Sequence, residues 1–258
     1  MFFGNSPWTK KEWLGKNPFL LGTFVQTSDP TVVEILALAG FDFVLVDCEH
    51  GPLSAESMKG LMIASSAAGI VPVVRVKQNN ASLVMEPLDS GALGVQIPHI
   101  RTKEDARNAV TFARYHPMGE RGVNPHVRAT RYCPEDFQSY MKWSNENSLV
   151  VVQVEGVEGV DHIDEILEVE GLDVIFLGPY DLSQSVGVPG EVTHPAVVDR
   201  MKGVIVKAKN KGMAVGTFAD NAEGAQKWID LGIQYMVIGY ETRMLFQGAK
   251  ATVLALRS

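Results

Sequence analysis

PTVVEILALAGFDFVLVDCEHGP, residues 30–52, holds one complete helix–turn–strand–loop unit, and its pattern decides the fold. Over Thr31–Ala39 the apolar residues return at the intervals of an amphipathic helix. Ser28 or Asp29 stands where an N-cap belongs, with Pro30 near the first turn, and Gly40 stands where a C-cap belongs. Phe43–Asp47 then reads as a short strand, apolar until its last residue. A strand with no polar alternate face is covered on both sides, as in a parallel sheet dressed by helices. The strand runs out into Asp47-Cys48-Glu49-His50-Gly51-Pro52, where several groups able to bind a metal or move a proton are crowded together. If the chain stays extended there, Asp47 and Glu49 share a face.

The same unit recurs in both directions. The other expected strands are Leu20–Gln26, Val71–Val76, Gly94–Pro98, Leu149–Glu155, Val174–Leu177, Met213–Thr217 and Tyr235–Ile238. Helical patterns cover Ser54–Ala68, Lys103–Ala113, Val160–Glu168, Pro195–Asn210, Ala222–Leu231 and Glu241–Arg257, and Gly69 and Gly212 sit at C-cap positions. Strand and helix alternating about eight times predict an α/β fold closed as a single (β/α)8 TIM barrel, one domain over residues 1–258. An open doubly wound sheet is the alternative, but no Gly-x-Gly-x-x-Gly follows the first strand, and there is no Walker-type loop. Trp8 and Trp13 suit a short N-terminal helix under the barrel. The segment from Arg114 to Asn147 is long for a barrel loop and has the composition of a lid or partner-binding loop, with Tyr115, Pro117, Arg121, Arg128, Arg131 and Tyr132.

Composition narrows the function. A formal net charge of −7 argues against a nucleic-acid partner, which needs a basic stripe to meet phosphates. No stretch is apolar for long enough to suggest a membrane span. Two cysteines, Cys48 and Cys133, give neither a disulfide framework nor a zinc spacing, and a reducing cytoplasm is the simpler reading.

In such a barrel the chemistry lies at the C-terminal ends of the strands, and polar residues collect there. Arg75 is a charge in an apolar strand, costly unless paired or held in a polar site, and its planar guanidinium suits a carboxylate. Lys77 follows at the same parity; an exposed strand exit is preferred there to a Schiff-base role. Gln153 and Glu155 point one way while their valine neighbours point to the helix layer. A carboxylate inside a barrel needs a cation, either a metal or Arg75. Strand six runs into Gly178-Pro179-Tyr180-Asp181-Leu182-Ser183, where Asp181 is a metal ligand or a helix cap. Glu155 and Asp181 on adjacent strands make a hard-oxygen site of the kind that Mg2+ or Mn2+ takes; zinc fits less well without a His or Cys pair.

Taken in order, Asp47-Cys48-Glu49-His50, Arg75, Leu88-Asp89-Ser90-Gly91-Ala92, Gln153-Val154-Glu155 and Gly178-Pro179-Tyr180-Asp181-Leu182-Ser183 resemble the class II pyruvate-dependent aldolases. That group includes the hydroxy-oxo-heptanedioate aldolases, the keto-deoxy sugar-acid aldolases and macrophomate synthase. Gly119-Glu120-Arg121-Gly122, Arg128-Ala129 and His194-Pro195 fit as well, so the resemblance runs from about Gly22 to Gly216. It implies a phosphoenolpyruvate/pyruvate-type barrel that cleaves or forms 4-hydroxy-2-keto acids through a pyruvate enolate and an aldehyde. Glu155 and Asp181 would ligate a divalent metal (Mg2+, Mn2+ or Co2+), with Asp47 and Glu49 holding its waters. Arg75 would grip pyruvate, with Gln153, Gly178, Pro179 and Tyr180 lining the substrate site. His50 would move the proton, oriented by Asp89, which a neighbouring subunit of a hexamer would supply. Many relatives carry alanine where this chain has Tyr180.

Two rivals stand beside this reading. A carbon–carbon lyase acting on an acyl-CoA thioester would use the same carboxylates and metal, but no basic cluster is reserved for the phosphates of CoA. A non-catalytic barrel would keep an Arg75–Glu155 pair as structure alone.

Overall fold

The computed structural model describes residues 9–15, 18–132 and 135–257, so Trp8 and Cys133 lie outside the described residues. Eight parallel strands close into a barrel in the order β1 to β8. They are β1 (Leu20–Val25), β2 (Phe43–Asp47), β3 (Val71–Arg75), β4 (Gly94–Ile97), β5 (Leu149–Val154), β6 (Val174–Leu177), β7 (Ala214–Ala219) and β8 (Tyr235–Tyr240). A short α1 (Lys10–Gly15) precedes them and puts Trp13 edge-on to Phe43, at 5.7 Å between ring centroids.

The helices on the first four units are α2 (Pro30–Leu38), α3 (Ala55–Ala68), α4 (Ala81–Ser90) and α5 (Lys103–Ala113). Asp29 caps α2 by accepting from the Thr31 amide, and Pro30 fits the first turn because a helix leaves that N–H unpaired anyway. Ser54 caps α3 and Asn80 caps α4. After β4 and α5 come α6 (Phe137–Asn147), then α7 (Val157–Asp161), α8 (Ile163–Ile166), α9 (Pro179–Ser185), α10 (Pro195–Asn210), α11 (Ala222–Asp230) and α12 (Glu241–Arg257). The expected helix over Val160–Glu168 is thus two short turns broken at His162. Helices α4 and α6 stand where no helix was expected. No helix among the described residues is long and apolar enough to cross a membrane.

Side-chain alternation sorts the strands into two surfaces. Outward residues such as Val44, Val46, Val74, Val95, Val152 and Ile175 pack under the helices. Inward residues form a second cluster that includes Phe24, Phe43, Leu45, Val71, Val73, Val151, Phe176 and Tyr235. Each such fully buried apolar side chain contributes about 1.5–3 kcal/mol. Crowding at the strand starts fixes Gly22, since a Cβ there would sit 2.3 Å from the Phe43 ring, which itself stacks on Tyr235 at 4.3 Å. Towards the strand ends the inward positions turn polar. Asp47 follows Phe43 and Leu45, Arg75 follows Val71 and Val73, and Gln153 follows Leu149 and Val151, each at the same parity. The register pairs Asp47 directly with Arg75.

The segment from Arg114 to Asn147 folds back on its own chain. Arg114 is buried and binds Asp173 at 2.8 Å and the Ser148 carbonyl at 2.7 Å. Arg121 donates to Asp89 at 2.6 Å and lies over the Tyr115 ring at 4.6 Å. Arg128 donates to the Ser90 carbonyl and to Ser66. These three cations are spent on internal contacts, so the lid-like composition of the segment builds packing around α4 and α6.

Candidate active site

At the strand ends Asp47 is the organising residue. It is fully buried and receives Arg75 as a fork, Nε on Oδ1 and Nη2 on Oδ2, both at 2.9 Å. Gln26 donates to Oδ2 at 2.9 Å, and the amides of Glu49 and His50 donate to Oδ1 at 3.1 and 3.2 Å. Burial works to raise this carboxyl, but the Arg75 guanidinium outweighs it and holds the group below the ordinary carboxylate range. The two amide bonds also fold the chain back after Asp47, as short acidic side chains do in turns. Residues 47–49 are therefore not extended, and Asp47 and Glu49 reach the site from different directions. Asp47 is the anchor of Arg75, with both oxygens engaged by the protein.

Arg75 lies over the Phe24 ring at 4.4 Å, and its Nε is 3.3 Å from Glu49 Oε2. Phe24 stacks on Tyr240 at 4.9 Å, which walls the guanidinium with aromatic rings. Arg75 pairs with Asp47 and Glu49 and leaves Glu155 to other partners.

Glu155 is buried just past β5. It accepts from the Gln153 side-chain amide, and its Oε1 accepts from the His99 amide at 2.9 Å. The Gln153 amide is fixed from behind by Gln96 at 2.5 Å. Burial pushes Glu155 up, to about 7; the Gln153 hydrogen bond opposes the shift and the Asp181 charge adds to it. Gly178 is where β6 passes this carboxylate: a Cβ there would lie 2.8 Å from Glu155 Cβ and 2.9 Å from its Oε2. Glu155 and Asp181 line one cavity of about 240 Å³ together with His99, Arg101 and Gln184. Asp181 sits in the first turn of α9, exposed at the rim.

His99 was not singled out from the sequence. It follows Pro98 at the exit of β4 with a left-handed backbone, φ 59°. Its Nδ1 is 2.9 Å from Glu155 Oε1 and its Nε2 is 3.1 Å from Glu49 Oε1. Glu49, His99 and Glu155 offer ligand atoms that all lie within 4.8 Å of one another. The only textual signal was a histidine one step beyond an apolar strand.

The set fits a divalent ion. Glu49 Oε2 is buried with no hydrogen-bond partner, and both Glu49 and Glu155 are pushed up, first by burial. These are carboxylates short of positive charge, with Asp181 as a further hard oxygen donor.

The remaining expected residues are placed as follows. His50 is exposed at the rim, its Nε2 3.9 Å from Glu49 Oε2. Asp89 is at the C-terminal end of α4, which runs back against the strands and delivers it to the opposite end of the barrel, into the hand of Arg121. Within one chain Asp89 therefore does not orient His50, because the barrel stands between them. Tyr180 donates to Asp220 at 2.7 Å, and Arg243 donates to the same carboxylate at 2.5 Å. The Tyr180 ring faces Phe218 at 6.0 Å and borders a larger cavity of about 510 Å³ that Trp228 and Val198 also line. That cavity lies beside the carboxylates rather than over them. Lys77 is exposed and lines a third hollow with Cys48 and Leu83, away from Glu155.

The comparisons with known proteins agree with this layout. Residues 20–247 match the family described as HpcH/HpaI aldolase/citrate lyase. The 2-keto-3-deoxy-L-rhamnonate aldolase of Salmonella paratyphi B is 35% identical over 247 residues, covering 95% of this chain and 91% of that one. An HpcH/HpaI aldolase/citrate lyase family protein from Burkholderia cenocepacia J2315 superposes with a TM-score of 0.91 at 32% identity, over 96% of this chain and 98% of that one. An HpcH/HpaI aldolase from Desulfitobacterium hafniense DCB-2 does so with a TM-score of 0.90 at 30% identity, over 96% of each.

Proposed function

The chain belongs to the HpcH/HpaI aldolase/citrate lyase family, and from that premise we propose that it cleaves and forms 4-hydroxy-2-keto acids, with pyruvate as the keto-acid product and an aldehyde as the other. Its activity is that of a divalent-metal-dependent, class II aldolase of the 2-keto-3-deoxy sugar-acid and pyruvate type. The observation that carries the residue assignment is the convergence of Glu155 and Asp181 in one cavity at the strand ends, with Arg75 locked nearby by Asp47.

Glu155 and Asp181 hold the ion (Mg2+, Mn2+ or Co2+), with Glu49 beside it. When bound, the ion withdraws electrons from the keto acid and makes its methyl protons acidic. Arg75 receives the developing negative charge on the keto oxygen; because Asp47 already fixes its plane, no reorganisation is needed as that charge appears. Gln153, gripped by Gln96, keeps Glu155 aimed. Gly178 and Pro179 form the adjoining wall. His50, exposed at the rim, carries the proton between the substrate and solvent. Tyr180, tied to Asp220 and Arg243, borders the space left for the aldehyde.

We extend the proposal to assembly of like copies into a hexamer, in which Asp89 of one copy orients His50 of another. Helix α12 supports this: among its residues only Glu241 is buried, and Leu245, Phe246, Val253, Leu254 and Leu256 are exposed. Sedimentation equilibrium reads the copy number, and a monomer at micromolar concentration refutes it.

The test of function is proton–deuterium exchange at the pyruvate methyl, followed by NMR with and without Mn2+. Exchange that requires the ion and disappears in Glu155→Ala supports the reading. Folded, ion-loaded protein that exchanges nothing on pyruvate yet cleaves an acyl-CoA thioester overturns it.

A further inference from the structure

The loop that leaves β4 holds a nitrogen donor inside a cluster otherwise made of oxygens. His99 reaches that position at a conformational cost: its φ of 59° lies in the left-handed region, which few side chains other than glycine, asparagine, aspartate and histidine enter. Two backbone bonds clip the segment to β5 and its extension, the His99 amide to Glu155 Oε1 at 2.9 Å and the Ile100 amide to the Gln153 carbonyl at 3.0 Å. The ring is thereby aimed between the carboxylates on either side, Nδ1 at 2.9 Å from Glu155 and Nε2 at 3.1 Å from Glu49, while half of it stays open to the cavity. Separations of this size are those of neighbouring donors around an octahedral ion with bonds of about 2.1 Å. Independently, the Glu49 side chain is about nine-tenths buried, and its Oε2 has no hydrogen-bond partner.

We propose that His99 is a third protein ligand of the cation site, together with Glu49 and Glu155, and that its imidazole makes the site prefer ions that accept nitrogen, Mn2+ and Co2+, over Mg2+. The chemistry behind the preference is general: imidazole suits later first-row ions, whereas Mg2+ favours oxygen and keeps its waters. This inference rests on the metal-dependent reading above but goes beyond it, because two carboxylates alone give no reason to discriminate among these ions by donor type.

The experiment uses full-length protein. Pulsed EPR on the Mn2+-loaded wild type should show coupling to an imidazole nitrogen, with no variant required. The coupling should vanish in His99→Asn, which tolerates the same backbone, and survive in His50→Asn. By calorimetry, His99→Asn should weaken Co2+ by about tenfold or more and Mg2+ far less, so the Co2+-to-Mg2+ preference falls. Absence of nitrogen coupling in the wild type, or an unchanged preference in His99→Asn, overturns the proposal. The two failures separate cleanly: if Glu155→Ala abolishes ion binding and methyl exchange while His99→Asn changes neither coupling nor preference, the aldolase reading stands and only the role of His99 falls.

Discussion

Replacing Asp47 with asparagine removes one charge and almost no volume, and the structure says what that should do. The carboxylate takes five donors: Arg75 Nε, Glu49 N and His50 N on Oδ1, and Arg75 Nη2 and Gln26 Nε2 on Oδ2. Whichever way an amide is turned, its NH2 faces at least two of them, and Arg75 remains buried without its counter-charge. Breaking a buried pair from one side costs about 3–5 kcal/mol. Glu49, at 3.3 Å from Arg75 Nε, offers partial replacement, so the lower end, about 3 kcal/mol, is the expected loss. At about 2–4 °C per kcal/mol for a chain of this length, the melting temperature should drop by roughly 6–12 °C. Arg75 should also lose its fixed plane, and pyruvate methyl exchange should slow by about a hundredfold. The pH dependence follows from the sign of the shift. Asp47 is held below its ordinary value in the fold, so its contribution is present above the unfolded carboxylate pKa and is lost only as pH falls through the lower folded value. The gap between wild type and variant should therefore stay constant from pH 9 to pH 6. A variant that melts within 2 °C of wild type, or a gap that closes between pH 7 and 6, would refute the reasoning.

Two further outcomes are expected. Glu155, pushed up to about 7, is protonated below that pH, and an incoming ion must displace the proton; Mn2+ affinity by calorimetry should fall about tenfold per pH unit below 7 and level off above it, and a flat profile from pH 5 to 8 would contradict this. Gly22→Ala would put a methyl 2.3 Å from a Phe43 ring that has Tyr235 and Trp13 against it, so urea unfolding should show a loss of about 1–3 kcal/mol, with no change in the metal preference.

The barrel was legible because each strand is short, apolar and set off by a helix of different period. Strand starts fell where the valine and isoleucine runs begin, and Asp47, Arg75 and Glu155 stood out as charges in apolar surroundings. What was hidden has physical reasons. Helix α4 contains Pro87 and ends in Leu88-Asp89-Ser90, which dilutes its periodicity, yet Asn80 caps it and the fold tolerates the proline. Helix α6 is rich in serine and asparagine, which favour turns locally, and tertiary contacts of Tyr140, Ser144 and Asn145 override that preference. The loop after Asp47 reads as extended until its carboxylate captures two amides, a choice that belongs to the side chain. Arg121 and Asp89 meet across 32 positions, beyond any local pattern. His99 was missed because strand parity stops at Pro98, and the turn that aims it is a backbone conformation that no residue pattern announces.

The positive φ at residue 99 also sets the mutational neighbourhood of the site. A histidine codon is one base away from those of asparagine and aspartate, and these are among the few side chains that accept a left-handed backbone. One nucleotide change thus replaces an aromatic nitrogen with a neutral oxygen, another replaces it with an anionic oxygen, and neither disturbs the path of the chain. The backbone strain confines variation at this position to a short series of donors, so ion preference lies within single-step evolutionary reach while the rest of the barrel stays unchanged.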